Sequence, residues 1–167
     1  MGSAWFGGVM LTSRKILIVE ECGDLLDLLG EALALLGWET ILAENGWEAI
    51  DKLELEYDLP SVVLLDMRTP GMNGIMLAAT LKAHPIYENI RILAASGHSG
   101  GLTGEHCLAL GCDDFISRPL DLPELETRLM NLLSVQRRKI IRATEPLNLE
   151  SSRQKRNSRG ADHRRVA

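Results

Sequence analysis

The chain has 167 residues, 18 of them Lys or Arg and 23 Asp or Glu, for a formal net charge of −5. Hydrophobic residues make up 46% and aromatics 4%, a globular composition whose core must rest on Leu, Ile, Val, Ala and Met and which excludes disordered and fibrous classes. No apolar run reaches the ~18 residues of a transmembrane helix, and Cys22, Cys107 and Cys112, an odd set without Cys-x-x-Cys, argue against a disulfide framework or zinc ribbon and for a reduced, cytoplasmic protein.

Residues 1–13 carry neither the basic stretch nor the cleavage site of a signal peptide, and Met-Gly-Ser-Ala-Trp-Phe lacks the Ser or Thr at position six that myristoylation requires. They are expected to form a flexible N-terminal segment. From there the chain alternates short apolar runs with helical stretches. The runs are residues 16–19, 40–43, 62–65, 92–95 and 115–116, mostly continuous, as strands buried on both faces should be. After the first, leucines at 25, 28, 29, 33 and 36 form a helical stripe, with Gly37 placed to cap its end. Asn45 is placed to cap a second helix reaching Glu56, with Trp47, Ile50 and Leu53 on one face. Residues 74–83, 103–110 and 122–133 supply three more. Trp38 and Trp47 are expected to cover the sheet edge around the second strand. Gly97, Gly100, Gly101 and Gly104 fall within eight residues and predict a shortened, mobile fourth helix.

Five strand–helix units predict an α/β fold with a doubly wound, five-stranded parallel sheet between two helical layers, a flavodoxin-like three-layer arrangement. The order 2-1-3-4-5 is one of the two common ones, and pattern alone does not choose between them. Either order puts ligands outside the carboxyl ends of the strands. Glu20 and Glu21 follow the first strand, Asp66 ends the third, Ser96 ends the fourth, and Arg118-Pro119 follows the fifth. Clustered carboxylates repel unless a cation intervenes, and oxygen-only ligands suit Mg²⁺. A carboxylate beside such an ion can attack phosphorus, with the hydroxyl and the cation holding phosphoryl oxygens. A single acid after a strand is an ordinary loop or cap residue. Five polar residues at one end of four strands are harder to dismiss.

Four segments in order carry a resemblance: Lys-Ile-Leu-Ile-Val-Glu-Glu (15–21), Val-Val-Leu-Leu-Asp-Met-Arg-Thr-Pro-Gly-Met-Asn-Gly (62–74), Ile-Leu-Ala-Ala-Ser-Gly (92–97) and Gly-Cys-Asp-Asp-Phe-Ile-Ser-Arg-Pro-Leu (111–120). The chain resembles the receiver domain of two-component response regulators from Lys15 to about Leu133, and a receiver domain is expected at residues 14–138. The resemblance implies that Asp66 accepts a phosphoryl group from a histidine kinase or phosphotransfer protein. It implies that Glu20, Glu21, Asp66 and the backbone carbonyl of Arg68 hold Mg²⁺, that Ser96 bonds the phosphoryl group, and that the rotamer of Phe115 follows that bond. A downstream protein partner would bind the face of the fourth helix, fifth strand and fifth helix. At most, self-phosphorylation from a phosphodonor and slow autodephosphorylation are implied, not ordinary enzymatic turnover.

The chain departs from the family pattern at two site positions. Glu21 stands where the second acid is normally Asp, and Mg²⁺ tolerates little geometric error. Arg118 stands where the family has Lys, and a planar guanidinium fork does not replace a compact ammonium. Arg118 can bind a phosphoryl oxygen, or pair with Asp66 permanently and leave a phosphorylation-independent pseudo-receiver that acts as an interaction module. A phosphohydrolase would want a second Asp two residues after Asp66, where Arg68 stands. The glycine run lacks the Lys-Ser/Thr of a P-loop. His106, Cys107 and Cys112 match no common metal spacing, and two buried thiols beside a surface His are expected. Cys22 beside two acids is a poor thiolate; His84 is expected at an exposed helix end, and His98 near the site.

Charge is uneven: residues 137–167 hold ten basic and three acidic residues, net +7, while residues 1–136 hold 8 and 20, net −12. Residues 139–167 are expected as a basic, disordered tail. It offers no base-reading motif and no aromatic for stacking, so nucleic acid is not the expected partner, nor is membrane insertion. It is also too short and polar for an output domain, so a stand-alone receiver is expected.

Overall fold

The computed structural model describes residues 5–6, 9–10, 13–97 and 103–144, with side chains described for 13–97 and 103–134. The expected tail beyond residue 144, together with His98, Gly100 and Gly101, lies outside the described residues. Within the first thirteen residues, Trp5–Phe6 pairs antiparallel with Val9–Met10.

The chain then runs β1 (Lys15–Val19), α1 (Gly23–Leu35), β2 (Glu39–Ala43), α2 (Gly46–Leu55), β3 (Val62–Asp66), α3 (Gly74–Ala83), β4 (Arg91–Ser96), α4 (Gly104–Ala109), β5 (Asp114–Ser117) and α5 (Leu122–Thr144). The five strands form one parallel sheet in the order β2-β1-β3-β4-β5, the flavodoxin-like order. Alternate residues of each strand face opposite layers, and both layers are apolar. Leu17, Val19, Val63, Leu65, Ile92 and Ala94 pack beneath Ala49 and Leu53 of α2, Leu77 and Leu81 of α3 and Cys107 of α4. Ile16, Ile18, Val62, Leu64, Leu93 and Ile116 pack beneath Leu26, Leu29 and Leu33 of α1 and Leu125, Leu129, Leu132 and Leu133 of α5. Every residue of β1 and β3 is buried, which is why those segments are continuous apolar runs. Each fully buried Leu or Ile contributes about 2 kcal/mol, so the two layers fix the register of the strand ends.

The helix ends follow the capping chemistry. The Asn45 side chain accepts from the N–H groups of Trp47 and Glu48, and Asn73 accepts from Met76. Gly37 takes φ 83° just past α1, the left-handed conformation a helix terminator needs. α4 is six residues long, started by a reciprocal Thr103–His106 capping box.

Two helix faces and one helix length differ from the sequence pattern. Leu28 is exposed, because the buried stripe of α1 runs through Leu26, Leu29, Gly30 and Leu33. Trp47 is also exposed and lies against the turn at Gly71, while Gly46 and Ala49 let α2 approach the sheet layer closely. Of Trp38 and Trp47, only Trp38 is buried. The helical backbone of α5 continues past Leu133 to Thr144.

Candidate functional site

The first and third strands are neighbours that leave the sheet in the same direction, so the residues following them meet. Glu20 directly follows β1 and Asp66 ends β3, and both are buried, 3% and 5% exposed. Each carboxylate is steadied by a nearby backbone N–H: Cys22 donates to Glu20 Oε1 (3.1 Å) and Arg68 to Asp66 Oδ1 (3.0 Å). Between them comes Arg118, which follows β5 and whose peptide bond to Pro119 is cis. Its backbone N–H donates to the carbonyl of Ser96, which ties the β5 end to the β4 end (3.0 Å). Its Nη2 donates to Asp66 Oδ2 at 2.9 Å and also to Glu20 Oε2. One nitrogen therefore sits where the two carboxylates converge. Among the described residues the Arg118 Nε is buried without a partner.

Two buried acids so close would repel strongly without a cation, and here a side chain supplies one. Glu21, next in sequence to Glu20, is exposed. Among the described residues no three His, Cys, Asp or Glu side chains come together as a metal-binding group. Cys107 and Cys112 are buried free thiols and His106 is an exposed capping residue, as expected. Burial pushes the Cys112 thiol up to about 11, which suits a core residue. Cys22 is exposed and free, and His84 ends α3 exposed, stacked on Tyr87 at 4.7 Å.

The approach of β3 to α3 depends on Gly74. A Cβ there would lie 2.6 Å from the Asp66 carbonyl oxygen and 2.6 Å from Met67 Cα. The Arg68 side chain lies over Gly97, where a Cβ would sit 3.1 Å from Nη2. Ser96 and Phe115 are half-buried. The Phe115 ring occupies the space a side chain at position 104 would need, since a Cβ on Gly104 would fall 2.2 Å from Cε1 and Cζ. Sequence reasoning treated Gly104 only as a helix breaker; here it makes room for a ring.

A residue that sequence reasoning missed is Arg128 of α5. Its guanidinium carbon stands 5.7 Å from the Phe115 ring centre. Nη1 donates to both Asp114 oxygens at 3.0 and 3.1 Å, and Nη2 to Glu124 Oε1 at 2.8 Å. Its spacing of four from Glu124 was visible in the sequence, but its contact with Phe115 was not. Asp114, Glu124 and Arg128 border an open groove of about 510 Å³ that also takes in Pro123, Thr127 and Asn131.

A family model, the response regulator receiver domain, matches residues 16–130. The chain belongs to that family. It is 30% identical over 142 residues to a probable transcriptional regulator, ycf27, of Porphyridium aerugineum, covering 85% of this chain and 55% of the relative. Receiver homology thus spans about half the length of such regulators. It is 31% identical over 126 residues to sporulation initiation phosphotransferase F of Bacillus subtilis (strain 168), covering 75% of this chain and 98% of the relative. The receiver domain of a sensor histidine kinase of Pseudomonas aeruginosa PAO1 shares the fold, with a TM-score of 0.65 at 23% identity over 73% of this chain and 98% of its own. That protein holds a magnesium ion in its active-site cleft. Receiver domains serve two-component signalling, with Mg²⁺ in the site and histidine kinases or phosphotransfer proteins as partners. No helix among the described residues is long and apolar enough to cross a membrane.

The donor chemistry of the receiver site here fits such an ion. Glu20 and Asp66 offer hard carboxylate oxygens at the open end of the sheet, and the Arg118 nitrogen marks the point where both converge on positive charge.

Proposed function

We propose that this chain is a receiver module that takes a phosphoryl group onto Asp66 from a histidine kinase or phosphotransfer protein and thereby changes which protein it binds. The observation that supports this most is the Asp66 carboxylate itself: held in place by the Arg68 N–H, facing a cation, at the open edge between β1 and β3. Asp66 Oδ2 forms the new O–P bond as the donor's N–P bond breaks, and the imidazole nitrogen leaves with that electron pair. Arg118 and the Ser96 hydroxyl then bind phosphoryl oxygens, and Arg118 can do so with two parallel N–H groups. Glu20, Asp66 and the Arg68 carbonyl would hold Mg²⁺, with Glu21 joining them only by turning in from its exposed position, and the ion would neutralise the charge that gathers on the phosphoryl group. Phe115 and Arg128 carry the change to the α4–β5–α5 face, where the downstream protein docks. A cytoplasmic setting belongs to the same reading.

One observation favours a second reading. The double ion pair of Arg118 already sets a cation against both buried acids, as an interaction module with no phosphoryl chemistry would need. Intact mass after incubation with acetyl phosphate and Mg²⁺ separates the two. A gain of one phosphoryl group, absent in Asp66→Asn, is the expected result. A folded protein that gains nothing from acetyl phosphate or from any histidine-phosphorylated donor is the pseudo-receiver.

A further inference from the structure

We infer that Arg118 is the resident counter-ion of the Glu20–Asp66 pair, and that Mg²⁺ enters only by displacing its guanidinium, so this site binds the metal more weakly than its carboxylates alone would. The inference rests on the reading of Glu20 and Asp66 as the receiver's acidic site, and not on whether Asp66 is phosphorylated.

Three features carry it. A single nitrogen, Nη2, bridges Glu20 Oε2 and Asp66 Oδ2, so the guanidinium stands at the position from which any shared cation would touch both acids. The remaining oxygens, Glu20 Oε1 and Asp66 Oδ1, are turned to the backbone N–H groups of Cys22 and Arg68. No third acid joins the pair, because Glu21 is exposed. The two acids thus carry two negative charges against one fixed positive charge. A divalent ion would balance them better, but only after the guanidinium had moved. Mg²⁺ also demands near-octahedral oxygens at ~2.0–2.1 Å, a volume that cannot be shared with an Arg nitrogen.

The exchange has a destination for the displaced group. Among the described residues the Arg118 Nε is buried without a partner and its side chain is 19% exposed, so the guanidinium has a donor to place and an open side towards solvent. A phosphoryl group on Asp66 would offer it new oxygens. Metal entry, guanidinium release and phosphoryl binding would then be one coupled movement of a single side chain.

Mg²⁺ titration of the unphosphorylated full chain tests this, followed by the amide resonances of Cys22 and Arg68, which report on Glu20 and Asp66 separately. The Arg118 Nε–H resonance is followed alongside. Arg118→Met is expected to half-saturate at a Mg²⁺ concentration at least about tenfold lower than the wild type, equivalent to about 1.4 kcal/mol of competition removed. In the wild type, the Nε–H signal is expected to move with the same midpoint as the two amides. Equal midpoints in wild type and variant would overturn the proposal, as would amide shifts that leave the Nε–H signal still. So would a variant that binds no Mg²⁺ at all. Should Arg118→Met fail to fold, the wild-type Nε–H signal decides alone. No phosphodonor is present, so failure here is distinct from failure of Asp66 to take a phosphoryl group.

Discussion

β1 carries a cluster of two acids and one base at each of its ends, and the two clusters are built inside out from one another. At the start of the strand Lys15 is buried, 5% exposed, and its Nζ meets Glu39 at 3.0 Å and Glu56 at 2.5 Å. Those acids lie outside, with Glu39 61% exposed. Past the end of the strand the acids are buried and the base, Arg118, reaches them from the more open side. The stoichiometry is the same, but the location of the unbalanced negative charge is not. Around Lys15 water shares it, and the cluster is a lock on the strand. Around Glu20 and Asp66 the protein holds it in its own interior, which stabilises nothing and attracts a cation that can relieve it.

The largest effect should come from breaking the carboxyl end while leaving the Lys15 end alone. Gly74→Ala places a methyl group against the Asp66 carbonyl and Met67 Cα, both backbone atoms that cannot rotate aside. A loss of about 3 kcal/mol in urea unfolding is expected, with loss of phosphoryl uptake at Asp66. The contrasting site is Gly30, where the added group would meet only the Leu42 side chain, at 3.0 Å. Gly30→Ala is expected to cost under about 1 kcal/mol and to keep the uptake. Equal costs at the two positions would show that the β3–α3 turn is more plastic than its contacts imply.

Asp66→Asn sharpens the comparison in the other direction. It removes one of two buried negative charges that share a single guanidinium, while Glu20 keeps the ion pair. The variant is expected to gain about 1 kcal/mol in thermal unfolding measured in EDTA, the trade of stability against function seen where a site stores repulsion. A loss of stability would mean that the Arg118–Asp66 bond outweighs the repulsion between the acids.

How much of this was legible in the sequence follows the same division. The three central strands were legible because burial on both faces turns them into continuous apolar runs, and β1 and β3 show no exposed residue at all, whereas the edge strands β2 and β5 are only partly buried. The strand-end acids were legible because the topology of a parallel sheet brings its carboxyl ends together. Leucine and tryptophan faces were less so: Leu28 and Trp47 have core chemistry, but small residues at Gly30, Gly46 and Ala49 decide which side of α1 and α2 approaches the sheet. Glu20 and Glu21 look equivalent as letters. Successive residues leaving a strand turn to opposite sides, so one is buried and the other exposed. The sharing of one Arg118 nitrogen between two acids, and the stand of Arg128 beside Phe115, depend on where long side chains end, which spacing does not encode.

The smallest effect, and the most selective, belongs to the Lys15 end. Burial by itself would lower the Lys15 ammonium, but the hydrogen bonds and charges of Glu56 and Glu39 outweigh it and hold the group above its ordinary 10.5. The folded chain therefore keeps this proton more tightly than the unfolded chain. Its contribution to stability is fully present below pH 10.5 and is lost as pH rises through the higher folded value. Lys15→Met keeps the length and the apolar stem while removing the charge. Since both acids have access to water, stability at neutral pH should change by under about 1 kcal/mol. The difference between wild type and variant should then shrink further, or reverse, only above pH 10.5. Unfolding followed from pH 7 to 11.5 reads this directly, and a difference that stays constant across the range would show that Lys15 holds the strand by packing and not by its proton. The same substitution should leave the Mg²⁺ midpoint at Glu20 and Asp66 unmoved, because the buried strand residues Ile16 to Val19 separate the two ends.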